Sequence, residues 1–338
     1  MKAAVVPSPG KEWEITEVPR PSPGPCEVLV RVHACGLCHN DVLIGRGAFP
    51  FLGDGPIITG HEAVGEIVEV GAGVTTRGVG DRVGVPWVQA SCGRCEHCSR
   101  DTSLTGLTAM ACAAPRATGV TVQGGHAEYI VAAADGTALL PESLSYTAAA
   151  PILCAGYTAW SALVDARPQP LDRVAVVGIG GIGHLALQYA RTCGFETIAV
   201  TRSPDKAELA SVLGADEVVS DGAGLRAVGG ADVIVAATPD HRQSSDALQG
   251  LNARGRFVLV GIDPEGTFTL GARSPLWARG QQIIGSTQAG PERLAEALDM
   301  AASGRVSAMV ETFSKERVAE AVNRMVEGRT RFRAVITY

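Results

Sequence analysis

The sequence predicts two domains of different architecture: a β-rich N-terminal half, then an α/β half built on a doubly wound parallel sheet. Three observations carry this expectation, namely the length, a change of hydrophobic rhythm after Asp172, and a glycine-rich turn at Gly178 to Gly183. A chain of 338 residues corresponds to about two domains at ~150 residues each, and 46% hydrophobic content is ample for two cores. The net charge of -6 and the scattered Lys and Arg residues offer no basic footprint for nucleic acid, so a small-molecule partner is expected. Met1 to Val6 reads as an opening strand, and no apolar run approaches the ~18 residues of a membrane span. A cytoplasmic location is the expectation.

In the first half, Glu27 to Val32, Ala63 to Val70, Arg82 to Pro86 and Ala127 to Ala132 have the β-branched, partly alternating composition of strands. Gly- and Pro-rich stretches such as Pro19 to Pro25 and Arg167 to Pro170 read as turns. From Asp172 onward, apolar segments at Val174 to Val177, Thr197 to Val200, Val233 to Ala236 and Phe257 to Val260 alternate with helical stretches. Buried parallel strands have this continuous apolar character. The last segment, Pro291 to Tyr338, predicts helices rich in Ala, Glu and Arg and a closing strand at Phe332 to Thr337. Local pattern alone leaves open which domain it joins.

The turn Gly178-Ile-Gly180-Gly181-Ile182-Gly183 follows a predicted strand and opens a predicted helix, the placement of a Rossmann dinucleotide-binding turn. Gly178 would make the tight turn, Gly180 would admit a pyrophosphate to the backbone, and Gly183 would permit close helix packing. An NAD-binding unit usually ends its second strand in Asp or Glu about 20 residues later. Here that strand runs into Thr201, Arg202 and Ser203, with Lys206 nearby, a set suited to a 2'-phosphate. NADP(H) is therefore expected; the alternative is that Arg202 and Lys206 are solvated loop charges and NAD(H) also serves. Gly261, after the Phe257 to Val260 segment, is counted with the cofactor residues.

Nine cysteines stand in the chain, and four of them, Cys92, Cys95, Cys98 and Cys112, form a compact set. A Cys-x2-Cys-x2-Cys run delivers three thiolates from one loop, which suits tetrahedral zinc; disulfides are the alternative. A second set of ligand types is dispersed: Cys38-His39-Asn40-Asp41, then His61-Glu62, then Cys154 within an apolar run. Singly, each would read as packing or surface.

Together these motifs, with Gly80-Asp-Arg-Val, Gly124-Gly-His-Ala-Glu-Tyr and Leu213-Gly-Ala-Asp, resemble the zinc-dependent alcohol dehydrogenases of the medium-chain dehydrogenase/reductase family over essentially the whole chain. The resemblance implies a GroES-like catalytic domain at residues 1–150, completed by about 288–338, and a Rossmann domain at 151–287. It implies that Cys38, His61 and Cys154 bind a catalytic zinc that polarises a substrate oxygen for hydride transfer. Glu62 would be an occasional fourth ligand, and Asp41 would hold the other imidazole nitrogen of His61. A structural zinc would occupy the four-cysteine lobe, and a homodimer or homotetramer is expected.

Two departures from the family pattern stand out. Cys98 and Cys112 are separated by thirteen residues where relatives usually have seven, an insertion of about six that loop-closure entropy tolerates. A lobe that has lost its metal is the alternative. Relatives also commonly carry a hydroxyl residue two positions after the first cysteine ligand and a histidine three positions further on, as a proton relay. This chain has Asn40 and Leu43 there, and a carboxamide cannot pass on a proton at neutral pH. His39 reads as a cofactor-phosphate contact or a solvated residue. Phe49 and Trp87 match positions lining the substrate pocket and imply an apolar or aromatic alcohol or aldehyde. Reduction of an imine or conjugated alkene is the alternative reaction, and a non-catalytic NADP(H)-binding protein the alternative class.

Overall fold

The computed structural model describes residues 1–48, 55–100, 106–261, 266–270 and 276–338. The chain forms two units, Met1–Tyr157 with Gln288–Ser303 and Ala308–Tyr338, and Thr158–Thr287 with Gly304–Ser307.

The first unit is built on a seven-stranded sheet whose axis is the strand Glu27–Leu37. That strand pairs antiparallel with Ala63–Val70, Tyr129–Ala133 and Arg333–Thr337. Val28, Leu29 and Val30 are all fully buried, so both of its faces are covered. The strand runs five residues past the expected end at Val32, because its second half meets the closing strand, with Ala34 opposite Thr337 and Leu37 opposite Ala334. No local sequence pattern announces a partner so distant in the chain. Register shifts at Leu29/Val30 and Val32/Ala34 mark bulges, which bend a strand and re-aim the segment after it. That segment is Cys38 and the short helix His39–Gly45. The stretch Val310–Ser314, not expected as a strand, pairs parallel with Arg333–Thr337 and closes the sheet on that side.

The second unit is a six-stranded sheet in the order Glu217–Val219, Glu196–Val200, Arg173–Val177, Ala231–Ala236, Leu251–Leu259 and Gln282–Gly285, paired in parallel throughout. Val174 to Val177, Ile198 to Val200 and Val233 to Ala236 are essentially inaccessible to water, which explains their uninterrupted apolar runs. Chain order reverses at Arg173–Val177, the first strand of the unit, so crossovers leave it in both directions. A crevice for a ligand opens at such a point, outside the carboxyl ends of the strands. Among the described residues, no single helix is long and apolar enough to cross a membrane.

The turn into the helix Gly183–Thr192 depends on the absence of side chains. A Cβ on Gly183 would stand 1.9 Å from the Gly178 carbonyl oxygen, whereas one on Gly180 would meet nothing within 4 Å. Gly183→Ala should therefore lower stability by on the order of 1–3 kcal/mol. Gly180→Ala should leave stability within about 0.5 kcal/mol of the parent. Urea unfolding followed by circular dichroism distinguishes the two, and equal losses would show that the glycine requirement is not steric.

Candidate metal centres and nucleotide pocket

Cys38 stands at the N-terminus of the helix His39–Gly45, and Asp41 three residues on turns its carboxylate back onto it. The Cys38 backbone N–H donates to Asp41 Oδ2 at 2.9 Å, and the Gly60 N–H to Oδ1 at 3.0 Å. His61 Nδ1 lies 2.9 Å from the same Oδ1. All three bonds are buried, so one carboxylate fixes both the helix that begins at Cys38 and the loop that carries His61. Burial works to raise the Asp41 carboxyl, but the His61 and His126 rings beside it hold it well below the usual range. With its Nδ1–H committed to Asp41, His61 presents Nε2 as a lone pair, and Nε2 is buried without a hydrogen-bond partner.

Cys154 comes from the junction between the 3-10 helix Ala150–Leu153 and the helix Ala155–Ala166, where its φ of -124° and ψ of -71° interrupt the helical path. Its sulfur lies 4.0 Å from that of Cys38. Two thiolates on one tetrahedral zinc at ~2.3 Å stand about 3.8 Å apart. The contact with Cys154 and the nearby imidazole draw the Cys38 pKa well below an ordinary thiol, and the same contact with burial drives that of Cys154 well above it. One ligand atom each from Cys38, His61, Glu62 and Cys154 lies within 4.8 Å of the others, and all four residues are buried. The donor set, the orphaned imidazole nitrogen and the sulfur spacing fit a zinc ion.

Three sets of contacts around this cluster go beyond the sequence reading. Glu62 pairs through Oε1 with Arg333, a buried arginine delivered by the closing strand, while Oε2 has no hydrogen-bond partner. Burial pushes the Glu62 carboxyl up to about 7 despite that guanidinium. His126, which reads in sequence as packing or surface, is buried, and its Nε2 faces Asp41 Oδ2 at 3.7 Å while its Nδ1 lies 3.3 Å from the Tyr338 hydroxyl. Trp87 is 5% exposed in a cluster with Ile44, Ala117 and Val120, and its ring stacks on His61 at 4.5 Å. Asn40 is half-buried and His39 exposed on the first turn of the same helix. Phe49 lies outside the described residues.

The second cysteine set also converges. Sulfur atoms of Cys92, Cys95, Cys98 and Cys112 lie within 4.8 Å of one another, with Cys95 to Cys98 at 3.5 Å and Cys95 to Cys112 at 4.0 Å. Backbone N–H groups of Cys92 and Ala114 point at the Cys112 sulfur at 3.2 and 3.3 Å, and that of Ala113 at Cys95. N–H donors of this kind stabilise thiolate, and they hold the Cys95 pKa down to about 6. Four sulfurs at these spacings fit tetrahedral zinc. The inserted segment enters through the helix Glu96–Arg100 and returns through the 3-10 helix Gly106–Ala111; residues 101–105 are outside the described set.

In the second unit a cavity of about 230 Å³ opens at the point where the sheet order reverses. Gly178, Ile179 and Gly180 form one wall, Thr201, Arg202, Ser203 and Lys206 a second, and Ala237, Thr238, Pro239 and Gln243 a third. Gly181 and Ile182 lead from the first wall into the helix that Gly183 begins. Gly261 packs behind the third wall, where a Cβ would meet the Thr238 carbonyl oxygen at 2.0 Å. The open space over Gly180 and the cationic second wall suit a phosphorylated dinucleotide.

Known proteins resemble the chain along its whole length. Residues 24–142 match the alcohol dehydrogenase GroES-like domain, and residues 181–303 the zinc-binding dehydrogenase domain. An alcohol dehydrogenase of Geobacillus stearothermophilus is 40% identical over 345 residues, covering 99% of both chains. The crystal structure of an NAD-dependent alcohol dehydrogenase superposes with a TM-score of 0.90 at 30% identity over 100% of both chains. A cinnamyl alcohol dehydrogenase of Sorghum bicolor gives 0.88 at 29% identity, over 99% of this chain and 97% of that one. The chain therefore belongs to the zinc-dependent alcohol dehydrogenases of the medium-chain dehydrogenase/reductase family, with a GroES-like domain and a Rossmann domain.

Proposed function

We propose that this protein is an NADP(H)-dependent reductase of apolar or aromatic aldehydes, running in reverse as an alcohol dehydrogenase. The observation that carries the reading is the Cys38, His61 and Cys154 cluster, three buried ligands organised by one carboxylate. Zinc held there would supply Lewis acidity to a substrate oxygen, and the nicotinamide the hydride.

The remaining work falls to the chain's own residues. Asp41 keeps the His61 ring in the tautomer whose Nε2 is a ligand, and Arg333 holds Glu62 in place beside the cluster. Trp87 and its apolar neighbours keep the His61 side of the site dry, which supports the expectation of an apolar substrate. Asn40, two residues after Cys38, can donate a hydrogen bond to a substrate oxygen but cannot relay a proton, so the proton needs another route: water, a cofactor hydroxyl, His39 or Glu62. Arg202 and Lys206 support NADP(H), since their charges line the nucleotide cavity where an acidic residue would favour NAD. A homo-oligomer joined at the edge strand Gln282–Gly285 is compatible with its half-exposed Ile283 and Ile284.

Initial rates of NADPH oxidation with a panel of aromatic and aliphatic aldehydes test the reading. Fast turnover, slower with NADH and lost after chelation, is the expected outcome. Absence of turnover with every aldehyde would overturn it and favour imine or alkene reduction, which dispenses with a hydroxyl relay.

Asp41→Asn should keep the shape of the carboxylate but not its charge, and lower zinc affinity by about 10–100-fold. Competition with a chromophoric chelator reads that change. Retention equal to the parent's would remove Asp41 from the support of His61.

Asn40→Thr introduces a hydroxyl where relatives relay protons, and should alter the pH profile of carbonyl reduction. An unchanged profile and rate would show that position 40 neither orients substrate nor bears on proton delivery.

A further inference from the structure

We propose that Asp240 is a specificity-determining residue for the nucleotide: it holds Arg202 in an ion pair at the rim of the cavity and so restrains the preference for a 2'-phosphate. The inference rests on the NADP(H) reading of that cavity and deepens it. Discrimination between phosphorylated and unphosphorylated adenosine ribose then belongs to the Arg202–Asp240 pair, not to Arg202 alone.

Arg202 Nη2 lies 3.0 Å from Asp240 Oδ2. The other carboxylate oxygen is engaged, because Oδ1 accepts from the backbone N–H groups of Arg242 at 3.0 Å and Gln243 at 3.3 Å. Asp240 is thus anchored between Pro239 and Gln243, both of which line the cavity, and cannot follow the guanidinium if it moves. Arg202 is the mobile partner. The side chains are 65% and 41% exposed, and an ion pair so open to water adds little to stability. Exchanging Asp240 for a phosphate therefore costs the fold little, but the displaced carboxylate stays nearby and repels the dianion.

A second commitment points the same way. Ser203, next in sequence, gives its hydroxyl to the Asp205 carboxylate. Of the four groups lining the second wall, two are held by carboxylates before any nucleotide arrives. The other two are Lys206 and Thr201, the latter 8% exposed. Two cations line this wall, but Arg202 and Ser203 are each backed by a carboxylate, whereas a wall built only for phosphate would lack those anions. Discrimination should accordingly be modest and set largely by Asp240.

The experiment is calorimetric titration of the full chain with 2',5'-ADP and with 5'-AMP, for the parent, Asp240→Asn, Arg202→Gln and the double variant. Asparagine is as good an N-cap as aspartate, so Asp240→Asn keeps its bonds to Arg242 and Gln243 and should keep the parent Tm. It should tighten 2',5'-ADP by about three- to tenfold and change 5'-AMP by less than about twofold. In the Arg202→Gln background only the direct repulsion between Asp240 and the phosphate remains, so that gain should shrink to about twofold or less. Unchanged 2',5'-ADP binding in Asp240→Asn would overturn the proposal, as would weakened 5'-AMP binding, which would make Asp240 a ribose ligand. A gain that survives Arg202→Gln intact would overturn the route through Arg202. The NADP(H) reading stands or falls separately, on whether the parent prefers 2',5'-ADP to 5'-AMP; a parent without that preference sinks it and leaves the Asp240→Asn comparison decisive.

Discussion

The candidate metal centre is assembled around the Asp41 carboxylate. Three N–H groups converge on its two oxygens, from Cys38, Gly60 and the His61 ring, and each comes from a segment that must be placed for zinc to bind. A fully buried carboxylate left without such donors would carry a desolvation penalty of several kcal/mol. The donors offset that cost, and the same bonds lock the helix that begins at Cys38 to the loop before His61. The bulged strand Glu27–Leu37 delivers the first ligand, and the sheet partner Ala63–Val70 begins directly after Glu62. Fold and site are therefore coupled through one residue.

Around that carboxylate the polar groups are graded. Beside the ligands is the Glu62–Arg333 pair, whose partners lie 271 residues apart in the sequence. Removing one partner of a buried pair of this kind typically costs about 3–5 kcal/mol, because the other charge is stranded. On the far side of Asp41 stand His126 and Tyr338, the last residue of the chain. The closing strand thus does more than complete a sheet: it brings Arg333 to Glu62 and leads into Tyr338 beside His126. In the second unit the same balancing of charge recurs in weaker, solvated form, with Arg202 set against Asp240 at the rim of the nucleotide cavity.

Much of the fold and the candidate site could be read from sequence. The strand Ala63–Val70 was legible to the residue, because β-branched Val64, Ile67, Val68 and Val70 recur along it and one partner, Arg82–Val85, lies close by in the chain. Arg173–Val177, Glu196–Val200 and the glycine turn were legible because burial on both faces demands long apolar runs and a tight turn demands glycine. The second half of Glu27–Leu37 was not, nor was Val310–Ser314, since both exist as strands through pairing with the closing strand. Arg333 carries no local signal either, as an arginine after a turn near a terminus usually reads as solvated. A signal was present for His126: it sits in a Gly-Gly-His-Ala run, where two glycines permit the close backbone approach to Thr59 and Gly60 that puts the ring beside Asp41.

Residue type and short spacing settle the chemistry on offer: which side chains can ligate zinc, where a pyrophosphate can approach, and that Arg202 stands where an NAD site carries an acid. No later packing alters these properties. Which groups engage one another is a matter of the folded chain. Folding brings Cys154 within 4.0 Å of Cys38 across most of the first unit, matches Arg333 to Glu62, and sets Asp240 against Arg202. The physical reason is that charge pairing and ligand geometry depend on distance in space, and distances between remote segments are fixed by sheet register and burial rather than by their separation along the chain.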